Sequence, residues 1–196
     1  MLVIGLTGNF GTGKTTVSQI LAGLGAVIID ADKLGHTLLQ PGTQTYNEIV
    51  SLFGKSILKP DGQIDRSKLG QLVFANSTAL AQLNGIMHPR MYELAQQKIE
   101  HYRRQGVKVV VLEAALLIEA GWRPLVDQVW LTTASETTVV DRLKGARGLN
   151  EEQIRARLRS QMPQDEKARQ ADIIINTDCT LDELKARVTT LWDALP

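Results

Sequence analysis

Near its start the chain carries the stretch Val3-Ile4-Gly5-Leu6-Thr7-Gly8-Asn9-Phe10-Gly11-Thr12-Gly13-Lys14-Thr15-Thr16, in which a short apolar run leads into a glycine-rich loop. From Gly8 to Thr15 the spacing Gly-x-x-x-x-Gly-Lys-Thr is that of a phosphate-binding loop, or P-loop. Glycines let the backbone curl until several N–H groups point at one anion. The flanking patterns predict a strand over 2–6 and a helix over 15–24. The alternative is a strand–helix turn that binds nothing, but motif, position and context together favour the P-loop.

The residue types within this loop match the chemistry of nucleotide phosphates. Lys14 can reach the β- and γ-phosphates as a point charge, and the Thr15 hydroxyl can bind Mg²⁺. The helix that starts here directs its positive end at the phosphates. We therefore predict nucleotide contacts from the following loop residues: Gly8, Gly11, Thr12, Gly13, Lys14, Thr15 and Thr16.

Composition limits the classes of protein to which the chain can belong. Its 196 residues predict one globular domain with room for a small inserted lobe, and 43% hydrophobic residues suffice for a core. A formal net charge of +1 argues against a nucleic-acid coat or a membrane surface as partner. The single cysteine, Cys179, cannot form an internal disulfide, which favours a reducing cytoplasm. No stretch resembles a signal peptide or a membrane span.

Four more short apolar runs alternate with helical patterns. They predict strands over 26–29, 107–112, 126–132 and 171–175. Buried strands separated by helices indicate a parallel sheet covered on both faces, with ligands beyond the carboxyl ends of the strands. We therefore predict an α/β fold of the three-layer P-loop NTPase type with a five-stranded parallel sheet.

Carboxylates stand at the ends of two of these strands. Asp30 and Asp32 follow the second strand, on the same rim of the sheet as the P-loop, although either aspartate could simply cap a helix. One of them can cap while the other takes part in chemistry. Glu113 ends the third strand, where an acid beside a P-loop can hold the Mg²⁺ shell together with Thr15. Glu119 lies six residues further along, and it could equally be a solvated charge in a loop with no part in the site.

Residues 33–105 differ from the rest because they contain helical patterns and no buried strand. Such an insert is placed to cover a substrate on the rim, and the alternative is a plain packing lobe. His88 is either a substrate contact or a hydrogen-bonded structural histidine. A break at His88-Pro89 is predicted because proline disfavours helix in the residue before it. Helices are predicted over 45–53, 67–74, 79–87 and 91–104.

A basic stretch between 142 and 162 predicts a mobile lid. Between 142 and 159 the sequence has six basic residues and two acidic ones, and Gly145 and Gly148 lie on either side of Arg147. A lid that carries arginines can close over transferring phosphates. Arg142 and Arg147 are the stronger candidates. The alternative, an ordinary charged helix face, applies to Arg155, Arg157 and Arg159.

Several of these residues recur together in one family. The chain resembles the dephospho-coenzyme A kinase family along nearly its whole length, on motifs that include the P-loop, Ile29-Asp30-Ala31-Asp32, His88-Pro89, Leu116-Leu117-Ile118-Glu119, Gln161-Met162 and 167–176. It departs from the family in two places. The family often has aspartate where this chain has Glu113, and Gly-Ile where it has Asn9-Phe10.

The resemblance implies transfer of the ATP γ-phosphoryl group to the ribose 3′-hydroxyl of dephospho-coenzyme A, with Mg²⁺. It implies that Asp32 accepts or orients the hydroxyl proton, with Asp30 as second choice or partner. Asn176 would lie near the adenine, and His88 on the path of the substrate. Arg142 and Arg147 would close onto the transferring group.

This hypothesis divides the chain into a core of residues 1–32, 106–141 and 163–196, a substrate insert of residues 33–105, and a lid of residues 142–162. It predicts a small-molecule substrate and no nucleic-acid, membrane or obligate protein partner. Two alternatives remain. One is another small-molecule or nucleoside monophosphate kinase of the P-loop type. The other is a regulatory nucleotide switch, against which the sequence has no Asn-Lys-x-Asp guanine motif.

Overall fold

Five strands form one sheet in the order β2-β3-β1-β4-β5. The structure, a computed structural model, describes residues 1–147 and 150–196, without the side chains of 74 and 145–147. Pairing is parallel between β1 and β3, β1 and β4, and β4 and β5. The α/β class and the five-stranded parallel sheet are therefore confirmed. The strands are β1 (Leu2–Gly8), β2 (Val27–Asp30), β3 (Val109–Glu113), β4 (Gln128–Thr133) and β5 (Ile173–Asn176).

Nine α-helices lie within the described part of the chain. None of the helices described there is long and apolar enough to cross a membrane. The helices are α1 (Lys14–Gly23), α2 (Ala31–Leu38), α3 (Gln44–Phe53), α4 (Arg66–Phe74), α5 (Ser77–Arg104), α6 (Glu136–Arg147), α7 (Glu151–Arg159), α8 (Gln164–Ala168) and α9 (Leu181–Asp193). Short 3₁₀ turns occupy Lys55–Ile57 and Arg123–Leu125.

One face of the sheet packs against α1 and α9. Alternate residues of the strands, among them Ile4, Leu6 and Trp130, are fully buried against Val17 of α1 and Val188 of α9. Each such side chain contributes about 1.5–3 kcal/mol when it leaves water. This burial fixes which residues end each strand at the rim, and so it positions the P-loop.

The pattern of contacts within the chain divides the molecule into two compact units. The first consists of Met1–Ile29 and Ile99–Pro196, and it holds most of the sheet with α1 and α6–α9. The second, Asp30–Lys98, is helical and has a core of its own. That core includes Ile49, Ile57, Ile64, Leu69 and Val73.

The predicted helix break at His88-Pro89 is wrong. A single helix, α5, runs through Pro89 from Ser77 to Arg104. Proline removes one backbone hydrogen bond and crowds the carbonyl of the residue four positions earlier, which is Gly85. The Arg90 guanidinium donates to the Ile86 carbonyl at 3.3 Å and to Glu48 at 2.7 Å. Packing on both sides of the proline therefore outweighs the local preference.

Candidate active site

The glycine-rich loop between β1 and α1 is curled in a way that requires glycine at several positions, Gly8 and Gly13 among them. Gly8 has φ 151°, and a Cβ placed on it would lie 2.2 Å from Thr132 Oγ1 and 2.7 Å from Thr12 Oγ1. Gly13, immediately before α1, has φ 85° in the left-handed region. At Gly8 the loop therefore lies directly against β4, in a space that a side chain would not fit.

Thr12 holds the loop from the inside. Its side chain is 1% exposed, donates to the Asn9 carbonyl at 2.8 Å, and lies 2.8 Å from Thr132 Oγ1. Thr132 Oγ1 lies in turn 3.2 Å from the Thr7 carbonyl. Any contact between Thr12 and a nucleotide would consequently be made by its backbone.

Lys14 folds back over the loop. Its ammonium donates to the carbonyls of Gly8 at 2.7 Å and Asn9 at 3.1 Å. These carbonyls hold a positive charge at the loop, where a phosphate group would be bound.

Thr15 and Glu113 form the pair that could bind a metal. The exposed Thr15 hydroxyl donates to Glu113 Oε1 at 3.2 Å, because the register of β1 with β3 sets Glu113 opposite Leu6. A hydroxyl and a carboxylate are hard oxygen ligands, which suit Mg²⁺. No group of three or more His, Cys, Asp or Glu side chains elsewhere in the described ranges could hold a metal. Mg²⁺ often binds to one or two protein carboxylates and takes its other ligands from phosphates and water, so this sparse pair fits it.

Asp30 and Asp32 have different surroundings. Asp30 is the N-cap of α2: its carboxylate accepts the Lys33 N–H at 3.1 Å and pairs with the Lys33 ammonium at 3.3 Å. Asp32 lies in the first turn of the same helix with its side chain exposed. The capping alternative thus describes Asp30, whereas the Asp32 side chain is exposed to solvent.

His88 is half-buried in α5, within the same helical unit as the two aspartates. Burial lowers the pKa of its imidazole below the ordinary value of 6.5, so the ring is neutral at pH 7. A neutral imidazole can donate one hydrogen bond and accept another.

Arg142 is anchored beside the P-loop by a residue that sequence analysis missed. Its guanidinium donates to the Thr177 hydroxyl at 3.0 Å and to the Thr177 carbonyl at 2.5 Å. Thr177 is 1% exposed, and its hydroxyl lies 3.1 Å from the Thr12 carbonyl. Only its place directly after Asn176, at the end of a strand, could have drawn attention to it in the sequence.

The loop after β5 is itself well ordered by hydrogen bonds. The exposed Asn176 accepts the Asp178 N–H at 2.7 Å, and Asp178 accepts the Ser135 N–H at 2.7 Å. Burial opposes ionisation of Asp178, but hydrogen bonds from Thr138 and Ser135, together with the charge of Arg142, lower the pKa of this carboxyl overall. A carboxylate thus ties this loop to the start of α6.

The remaining lid residues behave in different ways. The Arg147 side chain and Gly148, both named in the lid prediction, lie outside the described residues. Arg155 pairs with Glu151 at 2.8 Å and also with Glu136, as expected of a charged helix face. Hydrogen bonds from Lys144 and Arg155 lower the pKa of Glu151 to about 2.

Lys167 is a second residue near the carboxyl ends of the strands whose contacts the sequence did not predict. It is 0% exposed, and its ammonium donates to the Ala115 carbonyl at 2.9 Å and pairs with Glu119 at 2.8 Å. The Thr7 hydroxyl lies 3.3 Å from the same carbonyl. Glu119 is therefore the partner of a buried lysine, and both side chains hold the loop that follows Glu113.

Comparison with known proteins identifies the family of the chain. The family model described as dephospho-CoA kinase matches residues 2–183. Dephospho-CoA kinase of Geobacter sulfurreducens is 45% identical over 192 residues, covering 98% of each chain. Among solved structures, a Thermus thermophilus protein superposes with a TM-score of 0.83 at 31% identity, over 100% of this chain and 98% of that one. Dephospho-CoA kinase from Campylobacter jejuni gives 0.73 at 26% identity, over 97% and 95% of the two chains.

Proposed function

Because the chain belongs to the dephospho-CoA kinase family, we propose that it transfers the γ-phosphoryl group of ATP to the ribose 3′-hydroxyl of dephospho-coenzyme A. The bond between the γ-phosphorus and the β,γ-bridging oxygen breaks, a bond from O3′ to that phosphorus forms, and ADP leaves. The observation that carries the phosphoryl-transfer part of the proposal is the Thr15–Glu113 contact of 3.2 Å, which adds oxygen ligands to a curled phosphate loop. The choice of acceptor is supported by the match to the family over residues 2–183.

Residues of the P-loop bind the nucleotide in this proposal. The loop from Gly8 to Thr16 supplies backbone N–H groups, and Lys14 exchanges its two carbonyl partners for phosphate oxygens. Thr15 and Glu113 would hold Mg²⁺. When bound, the ion would neutralise charge on the β- and γ-phosphate oxygens. Asn176 contributes from the end of β5, towards the adenine.

The acceptor binds in the helical unit. Asp32 accepts the proton of the 3′-hydroxyl, which leaves Asp30 to hold the start of α2 in place through its cap. His88, neutral at pH 7, contacts the substrate by hydrogen bonding without adding charge. The support for these roles is the exposure of Asp32 and the different, structural bonding of Asp30.

Two arginines act on the transferring group. Arg142 is a fixed cation, since Thr177 holds it beside the loop, whereas Arg147 closes from the lid. One well-placed arginine can raise the rate of phosphoryl transfer by about 10³-fold or more.

The division of labour follows the proposed chemistry. The predicted bounds remain 1–32, 106–141 and 163–196 for the nucleotide-binding core, 33–105 for the acceptor insert and 142–162 for the lid. Asp30 and Asp32 then come just before the insert in sequence, and Arg142 is the fixed first residue of the lid. The partners are small molecules alone, with no nucleic acid, membrane or obligate protein partner. The site of action is the cytoplasm, where the free thiol of Cys179 would stay reduced.

The direct test is an assay of the purified chain with Mg·ATP and dephospho-coenzyme A, in which mass spectrometry scores the 3′-phosphorylated product. We expect stoichiometric formation of coenzyme A and ADP, and loss of both ATP binding and turnover in Lys14→Ala. Nucleoside monophosphates and water serve as competing acceptors. Higher kcat/KM with a nucleoside monophosphate, or ADP release without any acceptor, would replace the proposal with one of its alternatives.

A further inference from the structure

Three side chains of the segment 161–167, here called the tether, reach the carboxyl ends of three strands. Gln161 Oε1 accepts the Phe10 N–H at 2.7 Å, just after β1. Gln164 Oε1 accepts the Ala134 N–H at 3.3 Å, just after β4, and Lys167 donates to the Ala115 carbonyl after β3. The three positions recur every third residue, so one short stretch of chain is fixed across the rim on which the proposed chemistry takes place.

Only the Gln161 contact falls on the phosphate loop itself. Next to it, Asn9 Nδ2 donates to the Met162 carbonyl at 3.1 Å. The guanidinium carbon of Arg157 lies 5.3 Å from the centroid of the Phe10 ring, within the range of a cation–π contact. Two consecutive loop residues are thus bound to the tether and to α7.

The chemistry of the carboxamide suits a position beside phosphate. An uncharged oxygen can accept the Phe10 N–H without placing a negative charge next to an anion, as a carboxylate would. The bond is short and fixes the backbone at the tip of the loop. The amides further along the loop are then left for the phosphates.

Where the phosphate loop contacts the tether, one buried polar atom has no hydrogen-bond partner. Asn9 Oδ1 is buried and, among the side chains that the structure describes, stands alone as a buried polar atom without a hydrogen-bond partner. An unsatisfied buried acceptor is costly, so this part of the loop is not fully stabilised by its own hydrogen bonds. The Gln161 bond therefore matters more here than it would in a fully bonded turn.

We propose that Gln161 is a positioning residue for ATP: its carboxamide holds the Phe10 amide, and with it the tip of the phosphate loop, in the conformation that receives the triphosphate. The proposal rests on the ATP site of the proposed function and extends it to a residue outside the P-loop. Gln161 does not touch the reacting atoms.

The test compares Gln161→Met with Gln164→Met. Both substitutions remove a glutamine oxygen that accepts a backbone N–H, but only the first removes it from the phosphate loop. We expect Gln161→Met to raise the Kd and the KM of ATP about fivefold or more, the equivalent of one lost hydrogen bond. In the same variant the KM of dephospho-coenzyme A should stay within about twofold. Gln164→Met should leave the Kd and the KM of ATP unchanged.

Thermal unfolding of both variants separates positioning from stability. Equal losses of thermal stability with a rise in the ATP constants confined to Gln161→Met would support the proposal. Unchanged ATP binding in Gln161→Met, or the same change in both variants, would overturn it. Calorimetric binding of ATP needs no acceptor, so the role of Gln161 can be judged even if phosphoryl transfer to dephospho-coenzyme A is not observed.

Discussion

At the scale of single residues, the Thr15–Glu113 contact gives the sharpest prediction about the metal. Glu113→Gln keeps the size of the side chain and removes its charge, so we expect the Mg²⁺ concentration for half-maximal activity to rise by about tenfold or more. Glu113→Asp keeps a carboxylate and should change that concentration by much less. Titration of activity with Mg²⁺ at saturating ATP measures the difference. An unchanged Mg²⁺ dependence in Glu113→Gln would exclude this residue from the metal shell.

The two aspartates of α2 form a matched pair for the acceptor chemistry. Asp32→Asn should leave the Kd of ATP unchanged and lower kcat by about 10²–10⁴-fold, because the hydroxyl proton loses its acceptor. Asp30→Asn removes the same charge but keeps the N-cap bond to the Lys33 N–H, since asparagine caps as well as aspartate. It should retain most of the activity. Normal turnover by Asp32→Asn would remove Asp32 as the base and favour Asp30.

The turn between β1 and α1 could be predicted because the spacing of its glycines alone sets a local geometry. Thr177 and Lys167 could not, because their partners are remote in the sequence. Thr177 bonds to Thr12, 165 residues away, and Lys167 to Ala115, 52 residues away. The short helix α8 gives no sign in the sequence that Lys167 is buried. Only the folded sheet brings such pairs together.

At the scale of elements, Lys167 holds α8 to the loop after β3. Lys167→Met would leave Glu119, with its side chain 21% exposed, without its partner, which we expect to cost about 3–5 kcal/mol of unfolding free energy. The double variant Lys167→Met/Glu119→Gln removes both charges and should recover part of that loss. Urea denaturation of the two single variants and the double variant measures the coupling. Additive losses would mean that the pair does not interact energetically.

Ion pairs join α7 to α6, and they carry a defined pH dependence. Lys144 and Arg155 lower the pKa of Glu151 from 4.5 to about 2, so the stabilisation from this carboxylate is fully present above pH 4.5. It is lost as the pH falls through about 2. The stability difference between the natural chain and Glu151→Gln should therefore be constant from pH 8 to pH 5 and vanish in strong acid. A carboxyl resonance of Glu151 that titrates near 4.5 in NMR would contradict the ion-pair geometry.

Helix boundaries followed from apolar spacing wherever one local pattern decided them, as for α3, predicted over 45–53 and observed as Gln44–Phe53. The prediction of a helix break at Pro89 is wrong, because packing on both sides of the proline outweighs its local effect on the residue before it. Leu80 and Met87 pack into the core of the helical unit before the proline, and Ala95 and Ile99 are buried after it. The effect of proline on backbone conformation is limited to the residues next to it, whereas the continuity of α5 depends on contacts along 28 residues.

At the scale of the whole molecule, the parallel sheet could be predicted from five apolar runs alternating with helices, but the order of its strands could not. The apolar runs show that strands are buried, and they do not show which strands are neighbours. In the structure β1 lies at the centre between β3 and β4, so the P-loop, Glu113 and Thr132 meet at adjacent strand ends. The chain leaves the sheet after β2 for the helical unit and re-enters it at β3.

The division into two units predicts where each substrate protects the backbone from hydrogen exchange. ATP should slow exchange in the P-loop and around Thr177, within the unit of Met1–Ile29 and Ile99–Pro196. Dephospho-coenzyme A alone should slow exchange in Asp30–Lys98, above all in α2 and around His88. Mass spectrometry of peptides from samples with each ligand measures this. Lys14→Ala serves as the control, because it should abolish protection by ATP and preserve protection by dephospho-coenzyme A. Protection by dephospho-coenzyme A confined to the sheet unit would show that the helical unit does not receive the acceptor.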